Sequence, residues 1–135
     1  MAVSFGQFCI NVSDLDRSIA FYEGTLGFKI THRIEQPGGM NLTEIVFEGE
    51  SGSRLQIACH HDSPGPIEHG SALWKFYVNT DNCEALYALG LAAGAESLMA
   101  PLRLEAWPVT VAMICDPDGY KIELVEQHAE TPPNQ

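Results

Sequence analysis

The stretch Asp116–Glu126, DPDGYKIELVE, decides how this chain folds, because the same grammar has already appeared once upstream. Pro117 pre-sets a turn dihedral and Gly119 tolerates the positive φ that closes a tight reversal, so DPDG reads as a turn. It joins a strand at Val111–Cys115 (VAMIC) to a strand at Tyr120–Val125 (YKIELV). Earlier in the chain, Glu44–Glu48 (EIVFE), the turn ESGS and Arg54–Ala58 (RLQIA) read as strand, turn and strand again. Gly119 follows Gly52 by 67 positions, and the same offset relates Lys121 to Arg54 and Glu123 to Gln56. Self-similarity at a fixed period is the mark of a duplicated structural unit.

Working outward, each hairpin is preceded by a strand and a helix. Phe8–Val12 (FCINV) is apolar and β-rich, and SDLDRSIAFYEGTLGF follows it. Ser13 or Asp14 can cap a helix there, with Leu15, Ile19, Tyr22 and Leu26 on one face and Gly27 placed to end it. In the second half Trp74–Val78 (WKFYV) is the strand. Asn79, Thr80 and Asp81 offer caps, Leu86, Leu89 and Ala93 mark the helical face, and Gly94 closes it. On this reading Val78 is the counterpart of Val12, an offset of 66. The first of the three later strands is the weakest in each half, at about 32–35 and 97–103. Each half therefore reads βαβββ, an α+β chain of two modules. Module one spans about 1–60 and module two about 71–127, joined by a Pro- and Gly-rich linker at about 60–70 (HHDSPGPIEHG). The polar tail, 128–135, carries two prolines and is expected to fray.

The 135 residues suffice for a sizeable core and carry a formal net charge of −11. So acidic a surface repels phosphate backbones and anionic lipid, which argues against nucleic-acid and membrane partners. No apolar run approaches the roughly 20 residues that span a bilayer. MAVSFGQF lacks a basic segment followed by an apolar one, so a cytoplasmic protein is expected. The cysteines Cys9, Cys59, Cys83 and Cys115 form no CxxC pair and read as reduced thiols, three of them in apolar strand-like segments.

VSDLDRSIAFYEGTLGF followed by DPDGYKIELVE resembles the glyoxalase, bleomycin-resistance and dioxygenase group, the vicinal oxygen chelate superfamily, over essentially the whole chain. The resemblance implies two βαβββ modules whose curved mixed sheets enclose a small-molecule cavity, in a chain that pairs as a homodimer. It also implies four strand positions that hold a divalent metal in glyoxalase I and its relatives. Carried over by the repeat, they fall on Gln7, Gln56, Leu73 and Glu123.

Glu123 matches that pattern. Ile122 and Leu124 flank it, so strand alternation turns it to the face opposite theirs. A carboxylate on a partly apolar wall is expected to have a raised pKa, which suits a general base. The structural alternative for this carboxylate is an ion pair with Lys75 or Arg54. Gln7 and Gln56 offer amide oxygens, which bind a hard cation weakly. Leu73 cannot ligate at all. Two amides and one carboxylate suit a transition metal poorly, so the expectation is no cofactor or a weakly bound divalent metal. Asn11, His60, Lys75, Tyr77, Trp107 and Met113 are the candidate substrate contacts. Asn11 stands where glyoxalase I has an arginine that grips glutathione, so glutathione is a doubtful substrate. His32, His61 and His128 show no partner in the sequence. The functions in competition are a lyase or isomerase, lactoylglutathione lyase-like or epimerase-like, with Glu123 as base, and a metal-free small-molecule or drug-sequestering protein of the bleomycin-resistance type. An extradiol dioxygenase would need two His and a carboxylate on Fe²⁺, a triad not seen here.

Overall fold

Hydrogen bonding gathers eight strands into two four-stranded sheets, one for each half of the chain, in a computed structural model that describes residues 1–63 and 65–128. The chain divides between Glu68 and His69, inside the expected linker. The expectation for the tail falls almost wholly on 129–135, outside the described residues.

In module one, β1 (Phe8–Asn11) leads into α1 (Leu15–Ile19), which continues as a wider π-helical stretch, Ala20–Thr25. Three strands follow: β2 (Lys29–Glu35), β3 (Leu42–Glu48) and β4 (Leu55–His60). Their order across the sheet is β1-β4-β3-β2, with β1 parallel to β4 and the other pairs antiparallel. Asp14 caps α1 by accepting the Arg17 N–H at 3.0 Å. The helix lies against one sheet face: Tyr22 is fully buried beside Phe47, ring centroids 5.6 Å apart, and Ile45 and Ile57 complete this core. The face away from the helix carries Cys9, Asn11, Gln56, Ala58 and His60 by alternation and register.

Module two repeats the plan with β5 (Phe76–Asn79), α2 (Cys83–Ala92), β6 (Ser97–Arg103), β7 (Val109–Cys115) and β8 (Lys121–Gln127), in the order β5-β8-β7-β6. The turn before β8 forms as its residues dictate: Asp116 accepts the N–H groups of Asp118 and Tyr120, each at 2.9 Å, and Gly119 takes φ +90°. His69, in the linker, hydrogen-bonds the Asp118 carbonyl at 2.7 Å and meets the Tyr120 ring edge-on, which fastens the linker's end to this turn. Ile114, Ile122 and Leu124 are fully buried on the helix side.

Two helical details differ from the sequence reading. The cap of α2 is Asn82, not Asn79, Thr80 or Asp81: its side chain accepts the Ala85 N–H at 3.0 Å, while Thr80 Oγ1 accepts the N–H of Asn82. The buried face of α2 runs through Cys83 and Gly90, and Leu89 is exposed. Close approach selects that face, since a Cβ on Gly90 would sit 2.9 Å from Ile114 Cδ1.

Candidate functional site

The face of the second sheet away from α2 holds an ion pair at its centre. Alternation sends Ile122 and Leu124 into the core and Glu123 to this face, opposite Met113 on β7 and Tyr77 on β5. Lys75 donates from Nζ to Glu123 Oε1 at 2.6 Å, with side-chain exposures of 11% and 16%. The ammonium also lies 3.9 Å from the centroid of the Trp74 ring and 5.2 Å from that of Tyr77, within cation–π range. Its hydrogen bond to Glu123 raises the Lys75 pKa above that of an ordinary lysine, outweighing the opposing effect of burial. Glu123 is thus not alone on an apolar wall. Of its two alternative partners Lys75 takes it, whereas Arg54 pairs with Glu48 at 3.2 Å.

The first sheet bears a polar chain at the corresponding place. Gln7 donates from Nε2 to Gln56 Oε1, and Gln56 Nε2 donates to Glu44 Oε2. Gln56 accepts on one end and donates on the other, which fixes its amide orientation. Glu44 was missed in the sequence, although alternation shows it: Val46 faces Gln56 across β3 and β4, and Glu44 is the next residue of β3 on that face. Further along, His60 Nε2 and Asn11 Oδ1 are 2.9 Å apart, which brings these two candidate contacts together.

Strand register corrects the fourth position. Cys9 pairs with Gln56 in parallel, and Tyr77 pairs with Glu123 in parallel. Gln7 stands two residues before Cys9, and the residue two before Tyr77 is Lys75. Along these strands the repeat offset is therefore 68, as it is for the caps Asp14 and Asn82, and not the 66 that matched Val12 to Val78. Val78 is the counterpart of Ile10, both being buried and adjacent to the core residues of β8 and β4. Lys75 immediately precedes β5, as Gln7 precedes β1, whereas Leu73, 46% exposed, stands two residues further out.

The remaining candidates separate. Trp107 is exposed on the loop at the Val109 end of β7, away from mid-strand Met113. The histidines without a partner in the sequence have one: His61 with Thr43 at 2.9 Å, His128 with Thr110 at 2.7 Å, and His32 with Thr31 at 3.0 Å. The first two pairs are themselves a repeat at offset 67. Cys9 is exposed, while Cys59, Cys83 and Cys115 are buried as free thiols. Burial raises the Cys83 and Cys115 pKa values, holding both as unreactive thiols.

Two βαβββ units with this strand order and these paired polar positions define the glyoxalase type of fold. Residues 4–124 match the Glyoxalase/Bleomycin resistance protein/Dioxygenase superfamily, and the chain belongs to that family. It is 33% identical over 128 residues to a lactoylglutathione lyase of Haemophilus influenzae, covering 87% of each chain. It is 30% identical over 127 residues to one from Salmonella typhimurium, again covering 87% of each. Among solved structures, the trypanothione-dependent glyoxalase I of Leishmania major superposes with a TM-score of 0.78 at 24% identity, covering 93% of this chain and 88% of that one. A family domain from Frankia superposes equally well, TM-score 0.78, at 16% identity, covering 95% and 100%. No helix among the described residues is long and apolar enough to cross a membrane.

The donor set does not fit the divalent metal that the family resemblance implies. Protonated Lys75 has no lone pair to give and sets a positive charge against Glu123, the one carboxylate among the four positions. The other two positions are amides already bonded to each other. Among the described residues no three His, Cys, Asp or Glu side chains come together in a metal-holding group.

Proposed function

We propose that this protein is an isomerase- or lyase-type enzyme that takes a small carbonyl compound on the sheet face around Glu123 and moves a proton between its adjacent carbons. The observation that carries this reading is the placement of Glu123 on the face of β8 away from α2, with Oε1 held by Lys75 and Oε2 making no hydrogen bond among the described residues. In a 2-hydroxycarbonyl substrate the proton on the hydroxyl-bearing carbon passes to Glu123, the hydroxyl proton moves to the neighbouring oxygen, and the same carboxyl returns its proton to the former carbonyl carbon. Tyr77 and Met113, its register partners, stand on either side of Glu123. The relatives named lactoylglutathione lyase support the reaction class. Glutathione is not proposed as part of the substrate, because Asn11 bonded to His60 offers no cation for its carboxylates. The enzyme is proposed to act in the cytoplasm as a homodimer, so light scattering is expected to give about twice 14.8 kDa.

Glu123→Gln tests the reading, since it keeps the shape and removes the base. Proton exchange next to the carbonyl, followed by NMR in D₂O over a panel of 2-oxoaldehydes and 2-hydroxycarbonyl compounds, should fall about 100-fold or more. Unchanged exchange would refute it. The ion pair also favours a second reading, a metal-free binding protein of the bleomycin-resistance kind, in which a neutralised carboxylate only shapes a container. That protein would bind its ligand without exchange, and Glu123→Gln would bind as well as wild type.

A further inference from the structure

Building on that reading, we propose that Lys75 is the site's own cation: its ammonium stands where the fold would put a metal-holding side chain and does the metal's work, holding the developing oxyanion of a small planar carbonyl ligand.

Three independent observations converge on this residue. Register gives Lys75 the place in module two that Gln7 holds in module one, so its position belongs to the site and is not a surface accident. The side chain is mostly covered, at 11% exposure, in a chain with a net charge of −11. An ammonium withdrawn from water needs hydrogen-bond acceptors, and it has three N–H groups to satisfy. Glu123 Oε1 takes one at 2.6 Å. The rings of Trp74 and Tyr77 lie beside the ammonium and attract it, and the Tyr77 side chain adds a weaker polar interaction. A ligand oxygen would satisfy the N–H that remains. The two rings are 69% and 58% exposed, flat apolar surfaces beside a fixed positive charge. Together they describe a recogniser of a small, planar, oxygen-rich anion.

The chemistry balances without an outside reactant. The C–H bond beside the carbonyl breaks, its electron pair becomes the new C=C bond, and the carbonyl oxygen takes the negative charge. The carbon that loses the proton bears a hydroxyl: its C–H proton goes to Glu123, its O–H proton passes to the neighbouring oxyanion, and Glu123 returns its proton to the former carbonyl carbon as the first carbon takes up the C=O bond. Lys75 keeps all its protons and stabilises the oxyanion by charge and hydrogen bond, an electrostatic contribution that requires no metal.

Oxalate, a planar dianion shaped like an enediolate, is the probe. In the EDTA-dialysed protein carrying Trp107→Phe, so that Trp74 is the tryptophan that reports, oxalate should change the fluorescence saturably at millimolar concentration or below. Adding EDTA should leave the affinity unaltered. Lys75→Met keeps the length and removes the charge, and it should weaken oxalate about tenfold or more. Lys75→Gln guards against a folding defect in the first variant and should behave alike. Oxalate binding that appears only when Zn²⁺ or Ni²⁺ is added would overturn the proposal. So would Lys75→Met and Lys75→Gln binding as tightly as wild type, or the absence of any saturable change with wild-type Lys75. Glu123→Gln exchange tests the proton-transfer reading separately, because oxalate binding does not depend on turnover.

Discussion

Breaking the Lys75–Glu123 pair should destabilise the fold by about 2 kcal/mol, and a double-mutant cycle measures how much of this belongs to the pair itself. At 2.6 Å and an effective dielectric of about 20, the gross attraction is roughly 6 kcal/mol. Desolvating both ions and ordering the lysine side chain, roughly 2 kcal/mol for the latter alone, consume most of it. Exposures of 11% and 16% place the pair between surface pairs, worth up to about 1 kcal/mol, and wholly buried pairs, whose breakage costs about 3–5 kcal/mol. Lys75→Met should therefore lose about 2 kcal/mol, because it leaves a largely covered carboxylate without its cation. Lys75→Met with Glu123→Leu should recover to within about 1 kcal/mol of wild type, as apolar replacement of such pairs often does. Urea unfolding of wild type, Lys75→Met, Glu123→Gln and the double variant Lys75→Met/Glu123→Gln gives the coupling energy, expected at about 1–2 kcal/mol. A coupling under about 0.5 kcal/mol would mean that solvent screens the two groups as it does on an open surface, and the energetic reasoning would fail.

Gly90→Ala should be destabilising despite alanine's better helix propensity. The new Cβ lies 2.9 Å from Ile114 Cδ1 in a packed core, an overpacking cost of about 1–3 kcal/mol set against roughly 1 kcal/mol of helix gain. A stabilised variant in thermal melts would show that α2 can lift from β7 at little cost. The Glu35 carboxyl is held below the usual glutamate range, chiefly by its hydrogen bond from Arg33 and then by that from Thr43. A folded pKa below the unfolded one contributes stability above the unfolded value, about 4.3, which is lost as pH falls through the folded value. The stability gap between wild type and Arg33→Ala should thus be full at neutral pH and narrow on acidification from about pH 5 to 3. Urea midpoints across that range check the sign, and a gap that widens in acid would contradict it.

The duplication was legible because it is written in local chemistry. Turn glycines at 52 and 119, the Pro in DPDG and period-two apolar strands need no tertiary partner to be recognised, and together they determined the βαβββ plan and most strand positions. Glu123 was readable for the same reason, since Ile122 and Leu124 announce which way it points. The register of β5 against β8 was not legible. Val78 aligns as well with Val12 as with Ile10, and a slip of two residues leaves every side chain on its proper face, so alternation cannot detect it. Only the hydrogen-bonded ladder decided that Lys75, and not Leu73, stands opposite Gln7 in the repeat. The same limit hid the buried face of α2, which is selected by how closely Gly90 lets the helix approach Ile114 and not by its apolar residues. Glu44 and the two Thr–His pairs join residues 12 and 18 positions apart. Their proximity is a property of folded strands, where distance along the chain stops measuring distance in space.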